Sequence, residues 1–380
     1  MRRNPALDRL GTYPIAEVQE RARAMRDAGE RLIDFSIGDP REPTPDFIRD
    51  ALRDAVPEVS QYPTVAGLRT LRHAVAGYLR RRFDVEVDPD TQMIPTTGSK
   101  EAVFSTPLAF VGPGDAVAFG TPGYPIYERG AVFAGADAVP VRLGGDFVLR
   151  AGDVPAGAWE RARLLWTCTP HNPTGAVTSK ADLADLLAAC RDAGTLLLSD
   201  ECYADLYEDD PPSSVLQVAG GGSPGVLAYF SLSKRSGMTG YRSGVVVGDP
   251  DAIATLRSLR TSTGTAPAEF VQEAAAAAWA DDDHVAERRA IFAAKRAVLR
   301  DAFADMGYEV VGSRAGIYLW VRVGDDVAVT KRLLDEGVVV SPGRAFGPGG
   351  EGFIRLALVP GVEDCRAAVE VVRTCLTTVA

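Results

Sequence analysis

The sequence predicts an α/β protein with a mainly parallel sheet between helices, followed by a second, smaller α/β domain. Short apolar runs such as 164–169 and 226–230 alternate with segments of helical periodicity, which favours parallel strands joined by crossover helices. A long helical segment at 284–303 then leads into new strands and helices. We therefore expect an N-terminal arm with part of the small domain at 1–45, a large domain at 46–283 and the small domain at 284–380.

The individual elements follow from periodicity and from the turn residues between them. Helices are predicted at 14–29, 46–55, 68–82, 99–110, 181–193, 252–259, 267–280, 284–303 and 326–335. Strands are predicted at 32–37, 92–95, 116–119, 164–169, 195–198, 226–230, 245–247, 308–311, 316–321 and 353–358. In the last of these strands, side chains of different polarity alternate, which is typical of a strand with one face exposed to solvent.

Composition excludes several classes of protein. The 380 residues carry a net charge of −10 and 46% hydrophobic residues, which is typical of a soluble globular protein and argues against a nucleic-acid-binding one. No run of eighteen apolar residues occurs and no apolar stretch follows the first five residues, so we expect a cytoplasmic protein without a membrane span. The five cysteines and three histidines lack metal-ligand spacing, so no metal site is predicted.

A polar stretch at 231–244 separates two apolar strands and contains the most informative lysine. Lys234 lies between Ser231 and Ser233 on one side and Arg242 and Gly244 on the other. Only five of the 41 basic residues are lysines, and Lys180, Lys295 and Lys331 occupy polar positions that indicate solvated charges. An ordinary polar loop would also fit. A lysine that forms a Schiff base with a phosphorylated aldehyde explains the hydroxyls and the arginine as well.

A second anion-binding pattern precedes the stretch 231–244 in the chain. Gly98 and Ser99 stand at the start of a predicted helix, where unpaired backbone N–H groups and the helix dipole favour a phosphate. A simple N-cap serine is the alternative. By contrast, the glycines at 220–225 match a dinucleotide fingerprint only literally, because a proline lies within it and a strand rather than a helix follows.

These segments resemble, in order, the motifs of the class I/II aminotransferases, the fold type I enzymes that use pyridoxal 5'-phosphate (PLP). The resemblance rests on a serine, the lysine three positions later, an arginine eight positions after it and a following glycine, together with motifs around Gly38, Tyr62, Tyr124, Asn172, Asp200 and Arg355. It implies a seven-stranded sheet in the large domain, a homodimer, amino-acid and keto-acid substrates, and neither a nucleic acid nor a membrane as partner.

The resemblance also implies a role for each motif residue. Lys234 would be the catalytic lysine, Asp200 would protonate the ring nitrogen, and Tyr124 would stack on the ring, with Tyr127 as a packing residue. His171 is not expected to act as a base. The remaining implied positions are Ser99, Lys100, Ser231, Ser233 and Arg242 for the cofactor, Asn172 and Tyr203 at its phenolic oxygen, Gly38, Asn172 and Arg355 for the substrate carboxylate, and Tyr62 reaching the cofactor of the neighbouring subunit.

The resemblance also indicates a class of substrate. Segments 231–236 and 199–203 are similar to those of N-succinyldiaminopimelate aminotransferases of lysine biosynthesis, whereas 237–241 is closer to the aspartate type. A substrate with a distal carboxylate needs a second cation, for which Arg235 or Arg260 is the expected residue. An aspartate, alanine or other amino-acid aminotransferase is the alternative, and a PLP lyase, decarboxylase or racemase of the same fold is a further one.

Overall fold

Thirteen strands form three sheets in the computed structural model, which describes residues 3–11 and 15–377. In chain order the strands are β1 (Ile33–Asp34), β2 (Met93–Thr96), β3 (Ala116–Thr121), β4 (Asp137–Arg142), β5 (Ala162–Cys168), β6 (Leu196–Asp200), β7 (Val226–Ser231), β8 (Gly244–Gly248), β9 (Val310–Val311), β10 (Tyr318–Arg322), β11 (Val338–Val339), β12 (Ser341–Pro342) and β13 (Phe353–Ala357). The first residue of the helix predicted at 14–29 and the outer ends of the predicted terminal domains lie outside the described residues.

The α-helices and two short 3₁₀ turns (Ala151–Asp153 and Gly343–Phe346) connect these strands. The helices are α1 (Pro5–Leu10), α2 (Ala16–Asp27), α3 (Asp46–Asp54), α4 (Arg69–Phe83), α5 (Ser99–Phe110), α6 (Ile126–Phe133), α7 (Ala156–Trp159), α8 (Lys180–Ala193), α9 (Leu216–Ala219), α10 (Leu232–Arg235), α11 (Pro250–Thr263), α12 (Glu269–Ala280), α13 (Asp283–Asp305), α14 (Asp326–Asp335) and α15 (Val362–Thr377). Each predicted helix and strand has a counterpart here. The elements without a predicted counterpart are β4, β11, β12, α1, α6, α7, α9, α10 and α15.

The large sheet has seven strands in the order β2-β8-β7-β6-β5-β3-β4, and only β8 runs antiparallel to its neighbours. Both faces are buried. Val117 of β3 packs with apolar residues of α5, α6 and α11, whereas Ala118 lies in the cluster that includes α4, α8 and α12. This arrangement confirms the predicted mainly parallel, seven-stranded sheet between helices.

The direction of the strands brings five chain positions to one edge of this sheet. Strands β2, β3, β5, β6 and β7 all point the same way. They end at Thr96, Thr121, Cys168, Asp200 and Ser231. Ligand sites of open α/β sheets lie outside such carboxyl ends, so the segments that follow these residues are the ones to inspect for a site.

The C-terminal part of the chain has its own antiparallel sheet, in the order β12-β13-β10-β9. All five residues of β13 are buried, so the prediction of a half-exposed strand is wrong. Ile354 and Leu356 pack into the cluster of this sheet and α13–α15, while Phe353 on the other face stacks on Trp320, with 5.1 Å between ring centroids, in the cluster of the large sheet. The polar face of the strand therefore meets protein instead of solvent.

The N-terminal segment joins this C-terminal sheet region. Strand β1 pairs in parallel with β11, and Phe35 O accepts a hydrogen bond from Ala357 N at 2.8 Å. We therefore propose that the segment around β1 belongs with the small domain, whereas α1 contacts α6 of the large domain; the arm at 1–45 and the boundaries at 46 and 283 remain predictions. In the described part of the chain, every helix is too short or too polar to cross a bilayer.

One of the three lysines predicted as solvated is buried. Lys180 and Lys331 are exposed, whereas Lys295 has 1% of its surface exposed. Its ammonium group donates a hydrogen bond to the Glu42 carboxylate, which replaces water as its partner. The prediction for Lys295 is therefore wrong, because a partner distant in sequence compensates its burial.

Candidate active site

A cavity of about 790 Å³ opens at the edge where the strands of the large sheet end. Every residue implied as a site residue by the motifs lines this cavity, with the exception of Tyr62. The lining residues of this set are Gly38, Ser99, Lys100, Tyr124, Asn172, Asp200, Tyr203, Ser231, Ser233, Lys234, Arg242 and Arg355. The fold thus brings these side chains together, while their individual roles stay predictions.

Lys234 projects into the cavity from the short helix α10, which directly follows β7. The Ser231 hydroxyl caps this helix by accepting a hydrogen bond from Ser233 N at 3.1 Å. The Lys234 ammonium donates to the carbonyl oxygen of Gly38. Burial lowers the pKa of Lys234 to about 8, and Arg242 and Arg355 act in the same direction while Asp39 opposes them. The amine is therefore unprotonated in a far larger fraction of molecules near neutral pH than a solvated lysine would be.

Asp200 lies at the carboxyl end of β6 and is 5% exposed. Its carboxylate accepts hydrogen bonds from the Tyr127 hydroxyl at 2.9 Å and from Cys202 N at 3.3 Å. Burial raises the pKa of Asp200, so its anion gains from a cationic partner in the cavity. Tyr127 was predicted only to pack; it does stack on Trp166, but it is also a hydrogen-bond donor to Asp200.

A concentration of positive charge surrounds the start of α5. Gly98 precedes this helix with φ 79°, and Ser99 and Lys100 form its first turn. A Cβ atom at Gly98 would lie 2.3 Å from Arg242 Nη2, so only glycine lets the backbone and the guanidinium group approach in this way. The pKa of Lys100 is lowered by burial and by the nearby Arg242 and Arg129. Backbone N–H groups and two cations in this arrangement are suited to an anionic ligand.

Arg355 supplies a further cation to the cavity from β13. The side chain is 5% exposed; Nη1 donates to Asn172 Oδ1 at 3.1 Å and Nη2 donates to Ser36 O at 2.6 Å. Among the described residues, Nε has no hydrogen-bond partner and the guanidinium group has no carboxylate partner. The rings of Tyr318 and Phe346 lie 4.4 and 4.5 Å from its central carbon. A buried cation held in this way is suited to an anionic ligand.

Tyr318 and Tyr203 join the two sides of the site. Their hydroxyl groups are hydrogen-bonded at 3.0 Å. A Cβ atom at Gly38 would lie 2.6 Å from the Tyr318 hydroxyl, which explains why a glycine stands there. Tyr318 was not predicted as a site residue. It stands in a regular strand outside any motif, so no local pattern indicated its role.

The two arginines expected to bind a distal carboxylate do not line the cavity. Arg235 is 3% exposed and pairs with Asp205 at 2.9 Å and with Asp282 at 2.7 Å. Arg260 pairs with Glu101 at 2.7 Å. That prediction is therefore wrong, because both guanidinium groups are committed to neighbouring carboxylates within the fold. His171, which was not expected to act as a base, is buried, and burial lowers its pKa to about 4.

The site residues fit PLP, the cofactor implied by the motifs. The start of α5 with Lys100 and Arg242 suits a phosphate dianion, and the close approach at Gly98 keeps that backbone accessible. Asp200 offers a buried carboxylate for a cationic ring nitrogen, and Lys234 offers an amine with a lowered pKa for an aldehyde.

Comparisons with known proteins agree on the family of this chain. A family model described as aminotransferase class I and II matches residues 30–372. The 4-dedimethylamino-4-oxo-anhydrotetracycline transaminase OxyQ of Streptomyces rimosus is 39% identical, covering 89% of this chain and 92% of that protein. LL-diaminopimelate aminotransferase of Nitratidesulfovibrio vulgaris is 35% identical, covering 95% of this chain and 97% of that protein.

A solved structure shows the same fold along almost the whole chain. The structure of a probable N-succinyldiaminopimelate aminotransferase from Thermus thermophilus is similar with a TM-score of 0.90 and 29% identity, covering 96% of this chain and 100% of that one. Enzymes of this family depend on PLP, which is therefore the cofactor of this chain. The family match, the relatives and the shared fold together establish that the chain belongs to the class I and II aminotransferases of fold type I.

Proposed function

We propose that this aminotransferase moves an amino group between the glutamate/2-oxoglutarate couple and N-succinyl-LL-2,6-diaminopimelate. The observation that carries the amino-acid part is Arg355, a buried cation without a carboxylate partner among the described residues, which lines one cavity with Lys234. A planar guanidinium group binds a carboxylate through two parallel hydrogen bonds. The name of the related T. thermophilus structure supports the succinylated substrate.

Unsubstituted LL-diaminopimelate is the second candidate. The relative from N. vulgaris, at 35% identity, is named for this amino acid. In addition, Arg235 and Arg260 form ion pairs with other residues and do not line the cavity. The two cations that we expected to bind the succinyl carboxylate are therefore not available for it. Both candidate substrates have the same α-amino and α-carboxylate groups, so the same residues of the site would bind these groups in either substrate.

We assign each of these side chains a role in transamination. Bound PLP supplies an aldehyde that takes up the amino group and a cationic ring that withdraws electrons from the substrate Cα. Asp200 holds the proton on the ring nitrogen, and Tyr127 orients the Asp200 carboxylate through its hydrogen bond of 2.9 Å. Arg355 and Asn172 orient the substrate carboxylate. The Lys234 amine would take the proton from the substrate Cα as a base and give it back as an acid.

Single-substrate mixing tests this proposal. PLP-loaded enzyme is mixed separately with N-succinyl-LL-diaminopimelate, LL-diaminopimelate, glutamate, aspartate and alanine, and the cofactor absorbance is followed. A transaminase loses the aldehyde absorbance with an amino acid alone, whereas a lyase, decarboxylase or racemase does not. We expect glutamate and the succinylated substrate to give the highest kcat/KM.

The panel also separates the two substrate candidates. A higher kcat/KM with LL-diaminopimelate would replace the first candidate by the second, and a higher value with aspartate or alanine would contradict both. Growth of a strain that lacks the succinyldiaminopimelate transamination step gives an independent measurement. Failure of this chain to restore that growth, together with high aspartate activity, would overturn the diaminopimelate assignment.

We also propose that the active site is shared between two copies of the chain. Tyr62 is 99% exposed and stands in a segment in which Val56 and Val59 are also exposed. An aromatic ring so exposed is suited to burial against a second copy. In this arrangement the Tyr62 hydroxyl of one subunit contacts the phosphate end of the cavity of the other.

Mixed dimers test the shared site. Tyr62→Ala and Lys234→Ala are each expected to lower activity, but a dimer with one subunit of each kind has one native site, built from the intact Lys234 of one subunit and the intact Tyr62 of the other. Random reassociation of a twofold dimer then restores about a quarter of the native activity. Equal mixtures that stay as inactive as their components, or a protein that sediments as a monomer, would contradict the proposal.

A further inference from the structure

Helix α13 carries three buried basic side chains on one face. His284, Arg288 and Lys295 are 5%, 4% and 1% exposed, and their spacings of four and seven residues align them along the helix. Such side chains are seldom buried without a specific partner. Their partners therefore show what this face of the helix supports.

The Lys295 ammonium group has three acceptors, which matches its three donor hydrogens. It donates to the Glu42 carboxylate and to the carbonyl oxygens of Leu358, at 3.2 Å, and Val359, at 3.4 Å. The aromatic ring of Phe292 lies 5.1 Å from Nζ. A single ammonium group thus connects α13 with two segments that are more than three hundred residues apart in the chain.

Both segments carry groups of the active site. Glu42 comes four residues after Gly38, whose carbonyl oxygen accepts a hydrogen bond from Lys234. Leu358 comes three residues after Arg355, at the end of β13. Lys295 therefore fastens the Gly38 segment and the Arg355 strand to the same point of α13.

The same helix face supports the segment that carries Lys234. Arg288 Nε donates to the carbonyl oxygen of Lys234 at 3.4 Å, and His284 Nε2 is hydrogen-bonded to the Ser236 hydroxyl at 2.9 Å. A Cβ atom at Gly237 would lie 2.8 Å from Arg288 Nη1. Helix α13 thus contacts the segments that carry the Gly38 carbonyl, the Lys234 amine and Arg355, the three groups that we place around the substrate.

Stability alone is a poor explanation for the buried pair of Lys295 and Glu42. Replacing a buried ion pair by apolar residues of similar volume is often neutral or stabilising, whereas removal of one partner is strongly destabilising. We propose that Lys295 and Glu42 are positioning residues for transamination, which fix the Gly38 carbonyl and Arg355 relative to the Lys234 amine. The proposal rests on the aminotransferase activity and is independent of which amino acid is the second substrate.

Three variants and three readouts, the third being the KM for glutamate, test this positioning role. Lys295→Met leaves Glu42 unpaired, Lys295→Met with Glu42→Gln removes both charges, and Lys331→Met is the control, an exposed lysine paired with Asp335 one helical turn away. The first readout is the thermal unfolding midpoint of cofactor-free protein. The second is the pH dependence of PLP capture by the Lys234 amine, whose midpoint in the native protein is expected near its pKa of about 8.

The double variant gives the decisive result. We expect it to recover most of the thermal stability lost in Lys295→Met, because no buried charge is left unpaired. We also expect its KM for glutamate to rise by about tenfold or more, since displacement of a binding group by a fraction of an ångström is costly. The midpoint of PLP capture is expected to move to higher pH, because a looser Gly38 segment admits water to Lys234.

Two outcomes would overturn the proposal. One is a folded double variant with native KM and native PLP-capture midpoint, which would show a purely structural pair. The other is an equal change in the Lys331→Met control. If Lys295→Met does not fold, the double variant alone decides. Absence of transaminase activity in the native protein would instead refute the proposed function. Failure of the proposed function and failure of the positioning role are therefore distinguishable.

Discussion

Replacement of Lys234 by alanine is expected to lower turnover by more than about 10³-fold, because the variant lacks the group that moves the proton at the substrate Cα. The anion site at the start of α5, Arg242 and Asp200 remain in place, so PLP is expected to bind without a covalent bond. Steady-state kinetics measures the first effect. Borohydride reduction followed by peptide mapping measures the second, with label at Lys234 in the native protein and none in the variant.

The matched control for this experiment is Lys180→Ala. Lys180 is exposed at the start of α8, outside the lining of the cavity, and its replacement is expected to leave both turnover and borohydride labelling unchanged. A Lys234→Ala variant with near-native turnover would contradict the assignment. So would labelling of another lysine in the native protein, for example Lys100, which lines the same cavity.

Replacement of Asp200 by asparagine is expected to give the second largest loss. The carboxylate is buried, and the change leaves the ring nitrogen of the bound cofactor without an anionic partner. Loss of one partner of a buried charge pair costs about 3–5 kcal/mol, which corresponds to roughly 160- to 5,000-fold in rate. Single-turnover mixing with glutamate measures this loss at the chemical step, separately from substrate binding.

The neighbouring Glu201 offers a matched control. It is buried like Asp200, but its carboxylate accepts from the Ser199 hydroxyl and from Val215 N, both at 2.8 Å, and it does not line the cavity. Burial raises the pKa of Glu201 to about 7, so glutamine resembles the protonated form already present near neutral pH. Glu201→Gln is expected to keep near-native single-turnover rates. Equal losses in both variants would show that Asp200 acts through folding alone.

The resemblance of local motifs to the class I and II aminotransferases predicted most of the residues that line this site, and several of them follow the ends of buried strands. Asp200 and Ser231 are the last residues of β6 and β7, and Lys234 follows three positions later. Parallel strands bring such positions to one edge, so motifs that are distant in sequence converge once the sheet direction is known. The same alternation of strands and helices predicted the mainly parallel sheet that the structure confirms.

The partners of buried basic side chains could not be predicted in the same way. Lys295 and Arg235 have polar positions in their local patterns, but their carboxylate partners, Glu42 and Asp205, lie elsewhere in the chain. Periodicity describes one element at a time and contains no information about which residue packs against it. For the same reason the alternation of β13 indicates exposure to solvent, although its polar face meets another part of the protein.

The order of the site residues along the chain has a consequence for biosynthesis. The residues that we assign to the phosphate and ring of PLP in one subunit all precede residue 243, whereas Arg355 is translated more than a hundred codons later. A nascent chain that has emerged only as far as β8 therefore holds Lys234 and the residues assigned to the phosphate, yet it lacks Arg355, which acts with burial to lower the pKa of Lys234. The reactive amine and the group assigned to the substrate carboxylate are therefore completed together, when β13 pairs with β10.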